Sequence, residues 1–172
     1  MKEKFISLYN KHSDSVFRYC AFRISDRDIA LDITQDAFTK YWDYLCEGKL
    51  IENDRALIFT ITRNLIIDYY RKKKSISLEA LAEINEDENV EEFVILEGNE
   101  KDKLELETEA RFLIDKIKEL PKSYQQAVYL RYVEDMNPEE IAKVLEVSVS
   151  AASVRIHRGI EELKKITGYK NN

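Results

Sequence analysis

Residues 137–165 read NPEEIAKVLEVSVSAASVRIHRGIEELKK, and this stretch decides the fold class. Asn137-Pro138-Glu139-Glu140 joins an N-cap side chain, proline at the first helical position and glutamate three residues after the cap, a local start signal for a helix. The helix so begun carries Ile141, Ala142 and Leu145 on one side. After Glu146-Val147, Ser148 can cap a second helix whose apolar face is Ala152, Ile156, Gly159, Ile160 and Leu163. Its outer face is polar and partly basic, with Ser150, Ser153, Arg155, His157, Arg158 and Lys164. Two helices joined by a tight turn have the form of a helix-turn-helix, which sets the second helix in the DNA major groove with its cations on phosphates. An ordinary helical hairpin with a solvated outer face has the same spacing, so both readings stand at this level.

Working back along the chain, Ala110, Leu113, Ile114, Ile117 and Leu120 recur at helical spacing until Pro121, and Ser123 can cap a helix holding Ala127, Val128, Leu130 and Arg131. Near the start, Phe5, Leu8 and Tyr9, then Val16, Phe17, Cys20 and Ala21, form amphipathic helix spacing. Asp26 or Asp28 can cap the next helix, whose inward side is Ile29, Ile33, Ala37, Phe38, Tyr41, Trp42 and Leu45 before Glu47-Gly48-Lys49 stops it. A polar loop at 51–54 leads to a helix over 56–74, with Leu57, Ile61, Leu65 and Ile58 facing inward. The expected fold is all-α: two small helical domains over 1–74 and 110–172, joined by a linker over 75–109.

Composition agrees. The 172 residues are 44% hydrophobic and 35% charged, with four Gly and two Pro, too little punctuation for the turns of an all-β fold. No apolar run approaches the ~20 residues of a membrane span, and MKEKFISLYNKHSDSVF lacks the apolar core of a secretory signal. Cys20 and Cys46 are too few for a disulfide framework or a zinc site and are expected to be buried or half-buried structural thiols. The expected location is the cytoplasm. The net charge of −6 hides a pattern: 14 Lys+Arg against 11 Asp+Glu in 1–74, 2 against 13 in 75–110, and 11 against 9 in 111–172. Two mildly basic blocks flank one strongly acidic segment. That segment reads as a solvated tether, or as a mimic of nucleic-acid charge that crosses a basic channel of a partner.

Two further stretches carry chemistry. FTITRNLIIDYYRKKK, residues 59–74, couples aromatic residues to cations, and Asn64, Asp68 and Arg71 share one helix face. Phe59, Tyr69 and Tyr70 could stack on unpaired bases while the cations of Arg71-Lys72-Lys73-Lys74 hold phosphates; a basic helix end with core aromatics is the plainer reading. DITQDAFTKYW, residues 32–42, places Asp32, Gln35 and Asp36 beside Phe38 and Trp42, a protein-binding face rather than an acid–base pair. Neither His12 nor His157 has a partner at metal-ligand spacing, and no nucleophile elbow, phosphate-binding glycine loop or zinc ligand set is present. No enzyme, metal site, cofactor or small-molecule substrate is expected.

Taken in order, LYNKHSDSVFRYC…DITQDAFTKYW, LIFTITRNLIIDYYRKKK and LPKSYQQAVYLRYVEDMNPEEIAKVLEVSVSAASVRIHRGIEELK resemble the extracytoplasmic-function sigma factors of the sigma-70 family. The resemblance implies sigma region 2 followed by region 4, and a protein that directs promoter-specific initiation by core RNA polymerase. It assigns binding of the polymerase clamp helices to Asp32, Gln35, Asp36 and Phe38, with the polymerase flap as a second docking point. Melting and capture of the −10 element fall on Ile51, Glu52, Asn53, Asp54 and Asn64, with Asp68, Arg71 and Lys72 near the strand. Reading of the −35 duplex falls on Ser150, Ser153, Val154, Arg155, His157 and Arg158. An anti-sigma factor, often membrane-anchored in the family, is the implied regulator. Relatives usually carry Gly, Thr, Val and Lys or Arg where this chain has Glu146, Ala151, Ala152 and Ser153; Val154 stands where Ser is common and Leu57 where many have Trp. Rival readings are a stand-alone helix-turn-helix regulator and a helical adaptor that does not bind DNA.

Overall fold

The computed structural model describes residues 1–79 and 108–168, with side chains over 1–74 and 111–168. The chain divides into two compact units. The first holds α1 (Lys2–Arg23), α2 (Arg27–Cys46) and α3 (Asp54–Glu79), each packed on the other two. The second holds α4 (Thr108–Lys118), α5 (Lys122–Tyr132), α6 (Pro138–Leu145) and α7 (Val149–Thr167). Among the described residues, no helix is long and apolar enough to cross a membrane.

Local chemistry sets the helix ends in the first unit. Ile24 leaves α1 in an extended conformation, and Asp26 caps α2 by accepting from the amides of Asp28 and Ile29 at 3.0 and 3.1 Å. Gly48, at φ 65°, lets the chain turn out of α2. Asn53 then caps α3, its Oδ1 accepting from the Ala56 amide at 2.8 Å. The helix runs past its expected end at Lys74 to Glu79, since Ser75-Ile76-Ser77-Leu78-Glu79 contains no breaker. Most of the acidic segment assigned to the linker lies outside the described residues.

Leu8, Val16, Tyr19 and Cys20 of α1 meet Ala30, Ile33, Ala37, Phe38 and Tyr41 of α2 and Ile58, Phe59 and Ile66 of α3 in one core. The inward side of α3 differs from expectation. Ile58, Phe59, Ile61, Thr62 and Ile66 are buried, whereas Leu57 and Leu65 are half-buried, because α3 is flanked by both other helices and buries a wide arc. Two polar ties lock the packing. Tyr70 donates to the Arg23 carbonyl at 2.9 Å, and Asp54 accepts from Tyr41 Oη at 2.9 Å while pairing with Lys4 at 2.8 Å. Burial, then the Asp54 carboxylate, raises the Tyr41 phenol above its ordinary range. Cys20 is buried as expected, and burial pushes its thiol up to about 11. Cys46, expected to be covered, is exposed, because it ends α2 beyond the core residue Leu45.

In the second unit α7 is the central element, packed on α4, α5 and α6. Ile117 and Leu120 close one end, and Val128, Leu130, Met136, Ile141, Val144 and Ala152 are fully buried. Pro121, not Ser123, is the N-cap of α5, which begins at Lys122 and takes Ser123 into its first turn. The Asn137 capping box is complete: the Glu140 amide donates to Asn137 Oδ1 at 2.9 Å, and the Asn137 amide to Glu140 Oε2 at 3.1 Å. Gly159 marks where α7 meets α5 most closely, since a Cβ there would overlap Val128 Cγ2 and lie 3.1 Å from Tyr124 Cβ.

Candidate functional site

Three surfaces carry the residues singled out in the sequence. On α2, Asp32, Gln35 and Asp36 are exposed, and one helix face continues through Asp28, Thr39 and Asp43, also exposed. This is a narrow acidic-polar stripe on a rigid helix. Phe38 does not belong to it. The ring is 3% exposed, 4.8 Å from Tyr9 and 6.3 Å from Phe5 between centroids, so it anchors α2 on α1 instead of meeting a partner. The apolar group beside the stripe is Leu31, one turn from Gln35 and 38% exposed.

Around the second surface, the loop before α3 is pinned at both ends. Lys49 pairs with Glu47 and lies over the Tyr44 ring, 4.7 Å from its centroid. Asn53 and Asp54 are held by the cap and ties described above, so both shape the loop as well as bordering it. Ile51 is half-buried, Glu52 exposed, and Leu50 stands at the apex with 94% of its surface exposed. Sequence periodicity had no means of marking Leu50, because a loop leucine carries no facing. Along α3, Asn64 and Arg71 are exposed and Asp68 half-buried on one face, with Asp68 and Arg71 paired at 3.3 Å. Lys72 is exposed beside them. Phe59 cannot stack on a base, since it is fully buried 5.5 Å from the Tyr19 ring. Tyr70 spends its hydroxyl on Arg23, while half-buried Tyr69 packs edge-on against it at 5.1 Å.

The third surface is the outer side of α7. Ser148 caps the helix by accepting from the Ala151 amide at 3.1 Å. Ser150, Ser153, Val154, His157 and Arg158 are all exposed and fall at i, i+3, i+4, i+7 and i+8, a single stripe. Arg155 is half-buried and lies to one side of it. Glu161 continues the stripe and accepts an ion pair from His157 at 3.3 Å whenever that imidazole is protonated. The carboxylate went unremarked in the sequence although its i+4 spacing from His157 was available. Between α6 and α7, Glu146 is left-handed at φ 54°, a conformation that favours glycine at a helix end.

Among the described residues no His/Cys/Asp/Glu cluster could hold a metal ion. The surfaces are arrays of hydrogen-bonding, cationic and apolar side chains suited to recognition.

Comparison with known proteins gives the same assignment. Residues 8–76 match the family model for Sigma-70 region 2, and residues 113–163 that for Sigma-70, region 4. The chain is 26% identical over 166 residues to the ECF RNA polymerase sigma factor SigW of Bacillus subtilis, spanning 95% of this chain and 89% of that protein. It is 29% identical over 163 residues to the RNA polymerase sigma factor SigZ of the same organism, spanning 92% and 84%. In fold it is similar to the sigma factor RpoE, solved in complex with the anti-sigma factor NepR from Bartonella quintana, with a TM-score of 0.72 at 18% identity over 98% of this chain and 99% of that one. With a region 2 unit followed by a region 4 unit, the chain belongs to the extracytoplasmic-function sigma factors of the sigma-70 family, subunits that direct RNA polymerase to promoters.

Proposed function

We propose that each of the three surfaces performs one step of promoter engagement. Residues 1–74 form the domain that binds core polymerase and the −10 element, residues 75–109 the acidic linker, and residues 110–172 the domain that binds the −35 element. Asp32, Gln35, Asp36 and adjacent Leu31 dock on the polymerase, and the observation that carries this is the stripe they form on a helix whose other face is core. Rigid presentation suits docking, because little ordering entropy is lost on binding. The −10 strand runs along the loop at 50–54 and the Asn64–Asp68–Arg71 face of α3. Leu50 supplies an apolar surface for an unstacked base, and Arg71 and Lys72 reach phosphates. The outer stripe of α7 enters the −35 major groove.

The negative net charge of −6 fits a subunit that leaves much of the DNA affinity to the polymerase, because free binding to random DNA is a phosphate-neutralisation effect. The protein works in the cytoplasm, is not an enzyme, and is held in check by an anti-sigma factor that covers the polymerase-binding stripe. A stand-alone regulator would leave that stripe without a task.

Co-elution with core polymerase tests the docking face. Asp32→Lys and Asp36→Lys change exposed side chains, so folding should be untouched, while affinity for core falls at least ~10-fold by loss of charge complementarity. Unchanged affinity in the double variant would remove this face from the interaction.

A further inference from the structure

We propose that Val154 reads the 5-methyl group of a thymine, so that the leading end of α7 selects an A·T pair by apolar contact rather than a guanine by charge. This deepens the reading of α7 as the −35 recognition helix and rests on it. In a helix-turn-helix the N-terminal residues of the second helix reach the base edges. On the outer stripe those residues are Ser150, Ser153 and Val154, all exposed and all uncharged. The first cation in the stripe is Arg158, two turns from Ser150, and Arg155 is half-buried at its edge. Bidentate capture of guanine O6 and N7 takes an arginine or lysine at the base edge, and none of the exposed stripe residues at this end is one.

What does stand there is a valine with 46% of its surface exposed, following the two exposed serines of the stripe, Ser150 and Ser153, whose hydroxyls can each donate and accept. Valine in a helix is held close to one χ1 rotamer, so its methyl groups project from a fixed place. Val149, the other exposed valine of α7 at 47%, begins the helix off the stripe. The thymine methyl is the one apolar group on a major-groove edge, and Val154 is its match in size and chemistry.

The test uses holoenzyme made from core polymerase and the full chain, on duplex promoters in which each −35 thymine in turn is replaced by deoxyuridine. That exchange removes only the methyl group. One position should weaken wild-type binding about fourfold, as expected for one buried methyl group. Val154→Ala should lower affinity for the thymine duplex by a similar factor and become indifferent to deoxyuridine at that position alone. If no thymine is sensitive, or Val154→Ala keeps the wild-type sensitivity, the proposal fails while the recognition-helix assignment survives. Absence of any −35-dependent binding by wild-type holoenzyme would remove both.

Discussion

Replacing Gly159 by alanine adds one methyl group where α7 meets α5, and the structure fixes the sign of the result against what helix propensity alone would give. In an open helix interior, Gly→Ala stabilises by about 1 kcal/mol. Here the new Cβ would overlap Val128 Cγ2 and sit 3.1 Å from Tyr124 Cβ. Val128 is fully buried and, as a β-branched residue in a helix, has no easy alternative rotamer. Overpacking of this kind costs about 1–3 kcal/mol, so the net effect is a destabilisation of about 1 kcal/mol. For a domain of 60–100 residues that lowers Tm by about 4–8 °C. The assay is thermal unfolding of the full chain, followed by far-UV circular dichroism and by tryptophan fluorescence. Trp42 is the sole tryptophan and lies in α2, so fluorescence follows the first unit while circular dichroism follows both. Val128→Ala in the Gly159→Ala background should relieve the overlap, leaving the pair more stable than the sum of the two single effects. A Gly159→Ala protein that is more stable than wild type would refute the close helix crossing.

Other expectations follow from the same packing. Glu146→Gly should stabilise the second unit by about 1 kcal/mol in urea unfolding, because φ 54° strains a residue with a Cβ; a loss of stability would mean that the Glu146 side chain contributes more than the strain costs. A thiol reagent at about pH 8 should label exposed Cys46 promptly and buried Cys20 only on unfolding, read by mass spectrometry, and equal rates would contradict the core assignment. The Cys20 thiol, raised to about 11 from 9.0, holds its proton more tightly in the folded state. Its contribution to stability is therefore full below about pH 9 and disappears as pH rises through about 11. Urea midpoints followed by Trp42 fluorescence should fall across that window, and less so in Cys20→Ala; a flat profile would count against burial of the thiol.

What could be read from the sequence is what local chemistry decides. The Asn137 capping box, the Ser148 cap and the stop at Gly48 all act within a few residues, and each stands where the pattern put it, while of the two caps the pattern offered for α2, Asp26 and Asp28, Asp26 is the one used. The outer stripe of α7 was legible for the same reason, since Ala152, Ile156, Gly159 and Leu163 fix which side faces inward. Aromatic residues were harder. Helical spacing set Phe38 on the inward side of α2, where it lies, although the family resemblance assigns it to polymerase binding. Phe59, beside polar groups in sequence, also points into the core, because an aromatic side chain next to cations carries no sign of which surface it will cover. Nor could sequence periodicity join Lys4 and Tyr41 to Asp54, or Tyr70 to Arg23, since those ties span separate helices. Family resemblance placed the residues at 51–54 beside DNA, and the structure adds that Asn53 and Asp54 also hold the loop in shape.

As a sigma factor, this chain gives core polymerase its promoter choice. The measurement that decides this is run-off transcription with purified core and a library of promoters varied in the −35 and −10 elements. Initiation is expected from a defined subset, lost on Asp32→Lys/Asp36→Lys substitution and enriched for A·T pairs opposite the leading end of α7. A chain that neither binds core nor starts transcripts in the absence of any inhibitor would contradict it.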